Sequence, residues 1–182
     1  MYRDKVKTIN PLVKNFQNPF QKRQQPWVVF AISIFTVLLL SGVVSVNASS
    51  AGEIWVANMK GANVQIIDSD SNQVVKTIAT GAGAHNVTFS PDGKLAYISN
   101  LGTNSITIID AVSKEKLADV VTDTKAHDVA VSPDGKTAVA CNVGAGTITF
   151  IDVASKKATH TMATGKKAIT AVFSHDGNTL YV

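Results

Sequence analysis

A period of 42 residues is the feature that most constrains the fold of this chain. Three landmarks recur in step: a Ser-Pro-Asp-Gly or related turn, an Ile-Asp pair that ends an apolar run, and an asparagine that ends another run. They stand at 90–93, 132–135 and 174–177, at 67–68, 109–110 and 151–152, and at positions 58, 100 and 142. Self-similarity at this length indicates stacked repeats, each of which forms one supersecondary unit.

Each period contains four short segments suited to β-strands, with alternate apolar residues and many β-branched ones. The segments are 86–89, 128–131 and 170–173 for the first strand, 53–58, 95–100 and 137–142 for the second, 63–68, 105–110 and 147–152 for the third, and 74–79, 117–122 and 158–163 for the fourth. In the turn between the first two strands, Pro91 presets φ and Gly93 takes a left-handed position. The pattern predicts a meander of four antiparallel strands in every period.

Four antiparallel strands repeated every 42 residues predict the blades of a β-propeller. A single blade is a small sheet with two apolar faces, so it needs like neighbours on both sides. Residues 53–182 contain about three periods, and the first copy begins at its second strand, whereas propellers close with four to eight blades. We therefore expect an all-β fold of about three blades in an incomplete ring, and a chain that is the N-terminal part of a longer protein.

The second strand resembles the motif that names the YVTN family of β-propeller repeat proteins. Tyr97-Ile98-Ser99-Asn100 is one copy, residues 55–58 and 139–142 are degenerate copies, and residues 181–182 are half of one. The resemblance covers residues 53–182 and implies a propeller of about seven blades. The family is functionally broad, so the resemblance implies a fold more firmly than an activity.

The N-terminal part of the chain is unlike the repeats. Residues 1–26 carry six basic residues and one acid, a formal charge of +5, and residues 27–46 contain no charge. An uncharged run of this length predicts a hydrophobic helix long enough for a bilayer core, oriented with the basic end in the cytoplasm. We expect a basic segment (1–26), a signal or anchor helix (27–46), a linker (47–52) and an exported partial propeller (53–182). Cleavage after Ala48 and retention as a membrane anchor both stay open, and either places the repeats in the periplasm or on the cell surface.

Charge and cysteine content exclude some classes of partner and cross-link. Beyond residue 26 there are eleven basic and twelve acidic residues, a formal charge of −1, and no arginine. A nucleic-acid surface needs clustered cations, so we expect no nucleic-acid partner. Cys141 is the only cysteine and cannot form an internal disulfide. It stands where the other copies have Ala57 and Ser99, which favours a small buried strand residue.

Two histidines one period apart are the candidate site residues. His85 and His127 each precede the first strand of a copy, where the third copy has Ile169. In a propeller this position lies at the mouth of the central channel, where related propellers bind ligands or cofactors. The YVTN resemblance instead implies a packing or hydrogen-bonding role between blades. Two histidines fall short of the three or four protein ligands of an ordinary metal site, so we predict no metal site.

The recurrent carboxylates have a structural explanation. An aspartate begins a polar loop in every copy, and its oxygens can accept backbone N–H bonds two residues on. These aspartates are Asp68, Asp110 and Asp152. No nucleophile elbow, phosphate-binding loop or zinc signature is present, so we predict no catalytic residue.

The sequence alone favours a non-catalytic binding scaffold without a cofactor, with an unknown protein or small-molecule ligand at the channel mouth. Two alternatives belong to other classes of protein. The first is a cofactor-bearing redox propeller, similar to haem nitrite reductases or quinoprotein-associated proteins. The second is a lactonase-like hydrolase. Further histidines facing the channel would favour the redox alternative, and a cluster of acids at the mouth would favour the hydrolase.

Overall fold

The computed structural model describes residues 52–182, and every regular element in that range is a β-strand. Thirteen strands form four antiparallel sheets in chain order. The first sheet contains β1 (Glu53–Asn58), β2 (Asn63–Asp68) and β3 (Gln73–Ala79); the second contains β4 (Ala84–Phe89), β5 (Leu95–Asn100), β6 (Ser105–Asp110) and β7 (Glu115–Val121). The third contains β8 (Ala126–Val131), β9 (Thr137–Asn142), β10 (Thr147–Asp152) and β11 (Lys157–Ala163); the fourth contains β12 (Val172–Phe173) and β13 (Leu180–Tyr181). The predicted all-β fold, with blades of four antiparallel strands in an incomplete ring, is confirmed.

The predicted N-terminal elements lie outside the described residues. They are the basic segment 1–26, the hydrophobic helix 27–46 and residues 47–51 of the linker. Within residues 52–182 there is no helix of the length and apolar character needed to cross a bilayer.

The turn between the first two strands of each blade forms as its residues predict. In the second sheet Gly93 has φ 71° and its N–H donates to the carbonyl of Ser90 at 2.9 Å. The Ser90 hydroxyl donates to Oδ1 of Asp92 at 2.7 Å and accepts from the backbone N–H of Leu95 at 2.9 Å. The same contacts recur in the turns at 132–135 and 174–177. This turn fixes the register between the inner two strands of the second, third and fourth sheets.

Three apolar clusters hold the sheets together, one at each junction between consecutive sheets. The cluster between the second and third sheets includes Tyr97, Ile106 and Ile108, all fully buried. Burying a large aliphatic or aromatic side chain contributes about 1.5–3 kcal/mol. The stability of the described part therefore comes from contacts between blades, as expected for sheets too small to be stable alone.

Burial at a given repeat position depends on which strands follow it. Ile66 and Ile108 are fully buried, whereas the equivalent Phe150 is only partly buried. Val120 is 4% exposed, and the equivalent Met162 is 49% exposed. Phe150 packs at the junction with the fourth sheet, which has two short strands within the described residues. The neighbouring blade therefore decides how deeply a position is buried.

Candidate functional site

The two candidate histidines lie side by side at the start of neighbouring inner strands. His85 is the second residue of β4 and His127 is the second residue of β8. Their imidazole rings pack with centroids 4.2 Å apart and planes tilted by 42°. The structure thus brings together the two residues that the sequence placed at the channel mouth.

A β-bulge places each histidine. The register of β4 against β5 shifts between Ala84 and Val87, and the register of β8 against β9 shifts between Ala126 and Asp128. One extra residue on the inner strand interrupts the two-residue alternation and re-aims the side chain at that point. The alanines before the bulges are fully buried, whereas His85 is exposed and His127 is half-buried. The bulge is therefore what turns these rings out of the apolar junctions between blades.

The protonated nitrogen of His127 follows from its hydrogen bond. Its Nδ1 lies 3.1 Å from the carbonyl oxygen of Ile169, which belongs to the next copy of the repeat. A carbonyl oxygen only accepts, so Nδ1 carries the proton and donates. In the neutral ring Nε2 then keeps its lone pair, which is the form in which histidine ligates a metal. The backbone carbonyl of His127 also accepts from the Ser99 hydroxyl at 2.8 Å, so its strand is fixed from the blade before it as well.

The loops around the histidines are bonded to one another backbone to backbone. The N–H groups of Leu101 and Gly102 donate to the carbonyls of Gly83 and Ala82 at 3.0 and 2.9 Å. One period later, residues 143 and 144 donate in the same way to residues 125 and 124. Gly83 has φ 74°, and a Cβ there would lie 2.6 Å from the Gly102 nitrogen. The small residues that the sequence shows in these loops allow this close approach, which makes the rim a fixed frame for the site.

The asparagines that end the second strands brace the same rim from beneath. The Asn100 amide is fully buried and lies 3.1 Å from the Ser105 hydroxyl and 2.9 Å from the Thr107 hydroxyl. With its oxygen towards these hydroxyls, its Nδ2 donates to the carbonyl of Gly81 in the adjacent rim loop at 3.3 Å. At Asn142, Nδ2 donates to the hydroxyls of residues 147 and 149 at 3.1 and 2.9 Å. These contacts give the recurrent asparagines a structural role in supporting the rim loops.

The recurrent aspartates are engaged in their own turns. Oδ1 of Asp110 accepts from the backbone N–H groups of Val112 and Ser113 at 2.9 and 2.8 Å, and these bonds lower the pKa of the carboxyl group. Equivalent bonds to residues 71 and 155 lower the pKa of Asp68 and Asp152. A carboxylate held in the ionised form by local N–H donors is a turn element, as the sequence predicted.

Cys141 is a packing residue. It is fully buried in the cluster between the third and fourth sheets. Burial, with a smaller contribution from the charge of Asp128, raises the pKa of its thiol to about 12. The thiolate is the nucleophilic form, so this environment suppresses its reactivity.

Sequence reasoning missed a second set of residues beside the histidines. Asn86, Asp128 and Thr170 follow positions 85, 127 and 169 and are therefore also spaced by 42. Nδ2 of Asn86 donates to Oδ1 of Asp128 at 2.5 Å, and the Thr170 hydroxyl donates to Oδ2 of Asp128 at 2.5 Å. The three side chains form a polar chain across three blades. Their shared position was the available signal, but the residue types differ from copy to copy.

The donor set of the site suits a metal ion that a macrocyclic cofactor already coordinates. Among residues 52–182, no group of three or more His, Cys, Asp or Glu side chains converges in a way that could hold a bare metal ion. A haem iron has four ligands from its macrocycle, so the protein supplies only an axial ligand, commonly histidine. His127, with Nδ1 bonded to a carbonyl and Nε2 available, meets that requirement.

Comparison with known proteins corrects the expected function. No curated protein sequence matches the chain significantly. The chain is similar in fold to the hydrazine synthase of Kuenenia stuttgartiensis, with a TM-score of 0.66, 24% identity, and coverage of 70% of this chain and 37% of that one. It is also similar in fold to the dihydro-heme d1 dehydrogenase NirN in complex with DHE, with a TM-score of 0.59, 20% identity, and coverage of 67% and 28%. The chain thus spans well under half the length of either structure.

The family match covers residues 51–170, which include both histidines and most of the described part. The expectation of a non-catalytic binding scaffold is wrong, because this match favours the haem-related redox propeller that was the first alternative. The expectation of no metal site rested on two histidines, one or two fewer than the ligands of an ordinary metal site, but a haem supplies most of its iron's ligands itself. Because the family model matches residues 51–170, the chain belongs to the cytochrome D1 heme domain family.

Proposed function

We propose that this chain is part of an exported, haem-dependent redox propeller and that His127 would hold the haem iron through Nε2. The observation that carries the proposal is the contact between His127 Nδ1 and the Ile169 carbonyl, which fixes a ligand-competent ring within the family match. When bound, haem supplies one-electron chemistry at its iron. The residues of this chain would bind the group, hold the ligand ring and keep the surrounding loops in place.

His85 has a supporting role in this proposal. Its ring packs against that of His127 with centroids 4.2 Å apart, too close for one iron to lie between the two rings. His85 therefore limits the rotation of the His127 ring. The bonded rim loops keep both rings at this spacing.

The direct test is haem binding by the full-length chain in detergent. Ferric haem b is the probe, and the variants are His127→Ala, His85→Ala and, as a matched control, His175→Ala, which removes an exposed turn histidine. We expect the wild type and His175→Ala to give the absorption and EPR spectra of histidine-ligated iron. We expect His127→Ala to lose that signature and to regain it when imidazole is added. An unchanged spectrum in His127→Ala, or no haem binding by the wild type, would refute the proposal.

We also propose that the repeats are of the YVTN type. In β5 all four residues of Tyr97-Ile98-Ser99-Asn100 are fully buried. Tyr97 packs in the junction with the third sheet and Ile98 in the junction with the first. The Ser99 hydroxyl bonds to the backbone of β8, and Asn100 supports the rim. Each letter of the motif therefore has a structural use in joining blades.

Export rests on the sequence of residues 1–48, and we propose delivery to the periplasm or cell surface. The basic segment and the uncharged run that follows it are the supporting features. Protease treatment of intact spheroplasts should digest the repeats, and protection of the repeats would refute export. The N-terminal sequence of the mature chain distinguishes cleavage after Ala48 from retention of residues 27–46 as an anchor. The quinoprotein-associated and lactonase-like alternatives, and the identity of any further partner, stay untested predictions.

A further inference from the structure

The polar chain formed by Asn86, Asp128 and Thr170 has a use beyond joining strands. Asp128 stands next to His127 in the bulge of β8, and its two carboxylate oxygens point to opposite neighbours. Oδ1 accepts from Asn86 in the preceding blade, and Oδ2 accepts from Thr170 in the following one, both at 2.5 Å. Oδ1 also accepts from the backbone N–H of Val129 at 2.9 Å, which ties the carboxylate to its own strand. One side chain thus spans three consecutive copies of the repeat at the level of the histidines.

The orientation of His127 depends on the same three copies. Its Nδ1 donates to the carbonyl of Ile169, the residue immediately before Thr170. Asp128 holds Thr170, so it also holds the segment that carries the Ile169 carbonyl. On the other side, Asn86 follows His85, whose ring packs against His127. Both neighbours of the His127 ring are therefore attached to segments that the Asp128 carboxylate fixes in position.

We propose that Asp128 is a positioning residue for His127. Its carboxylate sets the spacing of three inner segments, which keeps the Ile169 carbonyl opposite Nδ1 and so keeps Nε2 as the unprotonated, ligand-competent nitrogen. Outer partners that orient a ligating histidine in this way typically change metal affinity by about 10–100-fold when they are removed. The effect on affinity rests on the proposed haem function, whereas the effect on the tautomer does not.

An asparagine at 128 can replace the aspartate without loss of bonds. Its Oδ1 accepts from Asn86, and its Nδ2 donates to the Thr170 hydroxyl, which accepts as readily as it donates. Alanine at 128 removes both bonds and leaves the side chains of Asn86 and Thr170 free to rotate. An aspartate at 86 instead places a carboxylate directly against that of Asp128, and like charges at this distance repel.

The test uses the full-length chain in detergent with five variants: Asp128→Ala, Asp128→Asn, Asn86→Asp, the exchange Asn86→Asp with Asp128→Asn, and the control Asp152→Ala. Asp152 lies in the same blade and accepts only local bonds in the turn after β10. The first readout is the tautomer of His127, measured without haem from the ¹⁵N shifts of its ring nitrogens. The second is the dissociation constant for ferric haem b.

We expect a single Nδ1–H tautomer in the wild type, in Asp128→Asn, in the exchange variant and in the control. We expect Asp128→Ala and Asn86→Asp to show a mixture of tautomers and about 10-fold weaker haem binding. If Asp128→Ala fails to fold, the contrast between Asn86→Asp and the exchange variant decides the same question. A pure Nδ1–H tautomer in both disrupted variants would overturn the proposal. Failure of haem binding in the wild type would refute the haem function and leave the tautomer result to decide the role of Asp128.

Discussion

Truncation of Ile108 tests whether the blades stabilise one another. The side chain is fully buried in the cluster between the second and third sheets. Ile108→Ala deletes three carbon groups at about 0.8 kcal/mol each and adds a cavity, so we expect a loss of about 3 kcal/mol in the free energy of unfolding. Phe150 occupies the equivalent position one period later but is only partly buried. Phe150→Ala should therefore lower the free energy of unfolding by less than the roughly 3–5 kcal/mol expected for a fully buried phenylalanine.

Urea unfolding of the full-length chain, followed by far-UV circular dichroism, measures both losses. The control is Val112→Ala, since Val112 is 75% exposed and its truncation should change the free energy of unfolding by less than about 0.5 kcal/mol. The slope against urea should stay constant, because it reports the surface exposed on unfolding. If Ile108→Ala lies within about 1 kcal/mol of the control, packing between blades is not the main source of stability and the reasoning fails.

Three further predictions follow from single contacts. Gly83→Ala should lower the thermal midpoint more than Gly93→Ala, because both glycines are left-handed but only at Gly83 would a Cβ meet backbone of another loop; equal shifts would contradict this. Cys141 should resist a thiol reagent at pH 8 in the native protein and react once urea is added, since burial raises the pKa of its thiol to about 12; native reactivity would contradict the packing role. The pKa values of Asp92 and Asp134 are lowered mainly by a serine hydroxyl in each turn, so their stabilising effect is present above the ordinary carboxyl pKa and is lost as the pH falls through the lower folded value. Replacing both with asparagine should reduce the loss of stability between about pH 4 and pH 2, which circular dichroism measures. An unchanged acid transition would count against this prediction.

The second and third strands of each blade could be predicted residue by residue where the blade is complete. β5 and β6, for example, have the bounds that alternation and the flanking turns predict. The first strand could not, because β4 and β8 begin two residues earlier and include a bulge. A bulge adds one residue to a strand and so breaks the alternation on which the prediction rests. Within the segment 170–173 only the two residues of β12 form a strand, and they pair with the two residues of β13.

Prediction of the site was limited in a different way. His85 and His127 were identifiable because the same residue type recurs after 42 positions, but their side-by-side packing needed coordinates. Asp128 was not identified, because a lone aspartate near a turn resembles the many turn aspartates in this chain. Its role depends on partners 42 residues before and 42 residues after it, and neither partner is an aspartate. No local pattern contains that information.

The interaction among these three residues depends on pairing each acceptor with a donor. A carboxylate only accepts hydrogen bonds, so Asp128 needs a donor on each side, and the Asn86 amide and the Thr170 hydroxyl are both donors in the structure. Three aspartates in this row would repel one another. In the regular positions of this chain identical residues recur because each blade packs on the next in the same way. In the row formed by Asn86, Asp128 and Thr170 the residue type changes from copy to copy, and the row lies beside His127, the ring that we propose as the haem ligand.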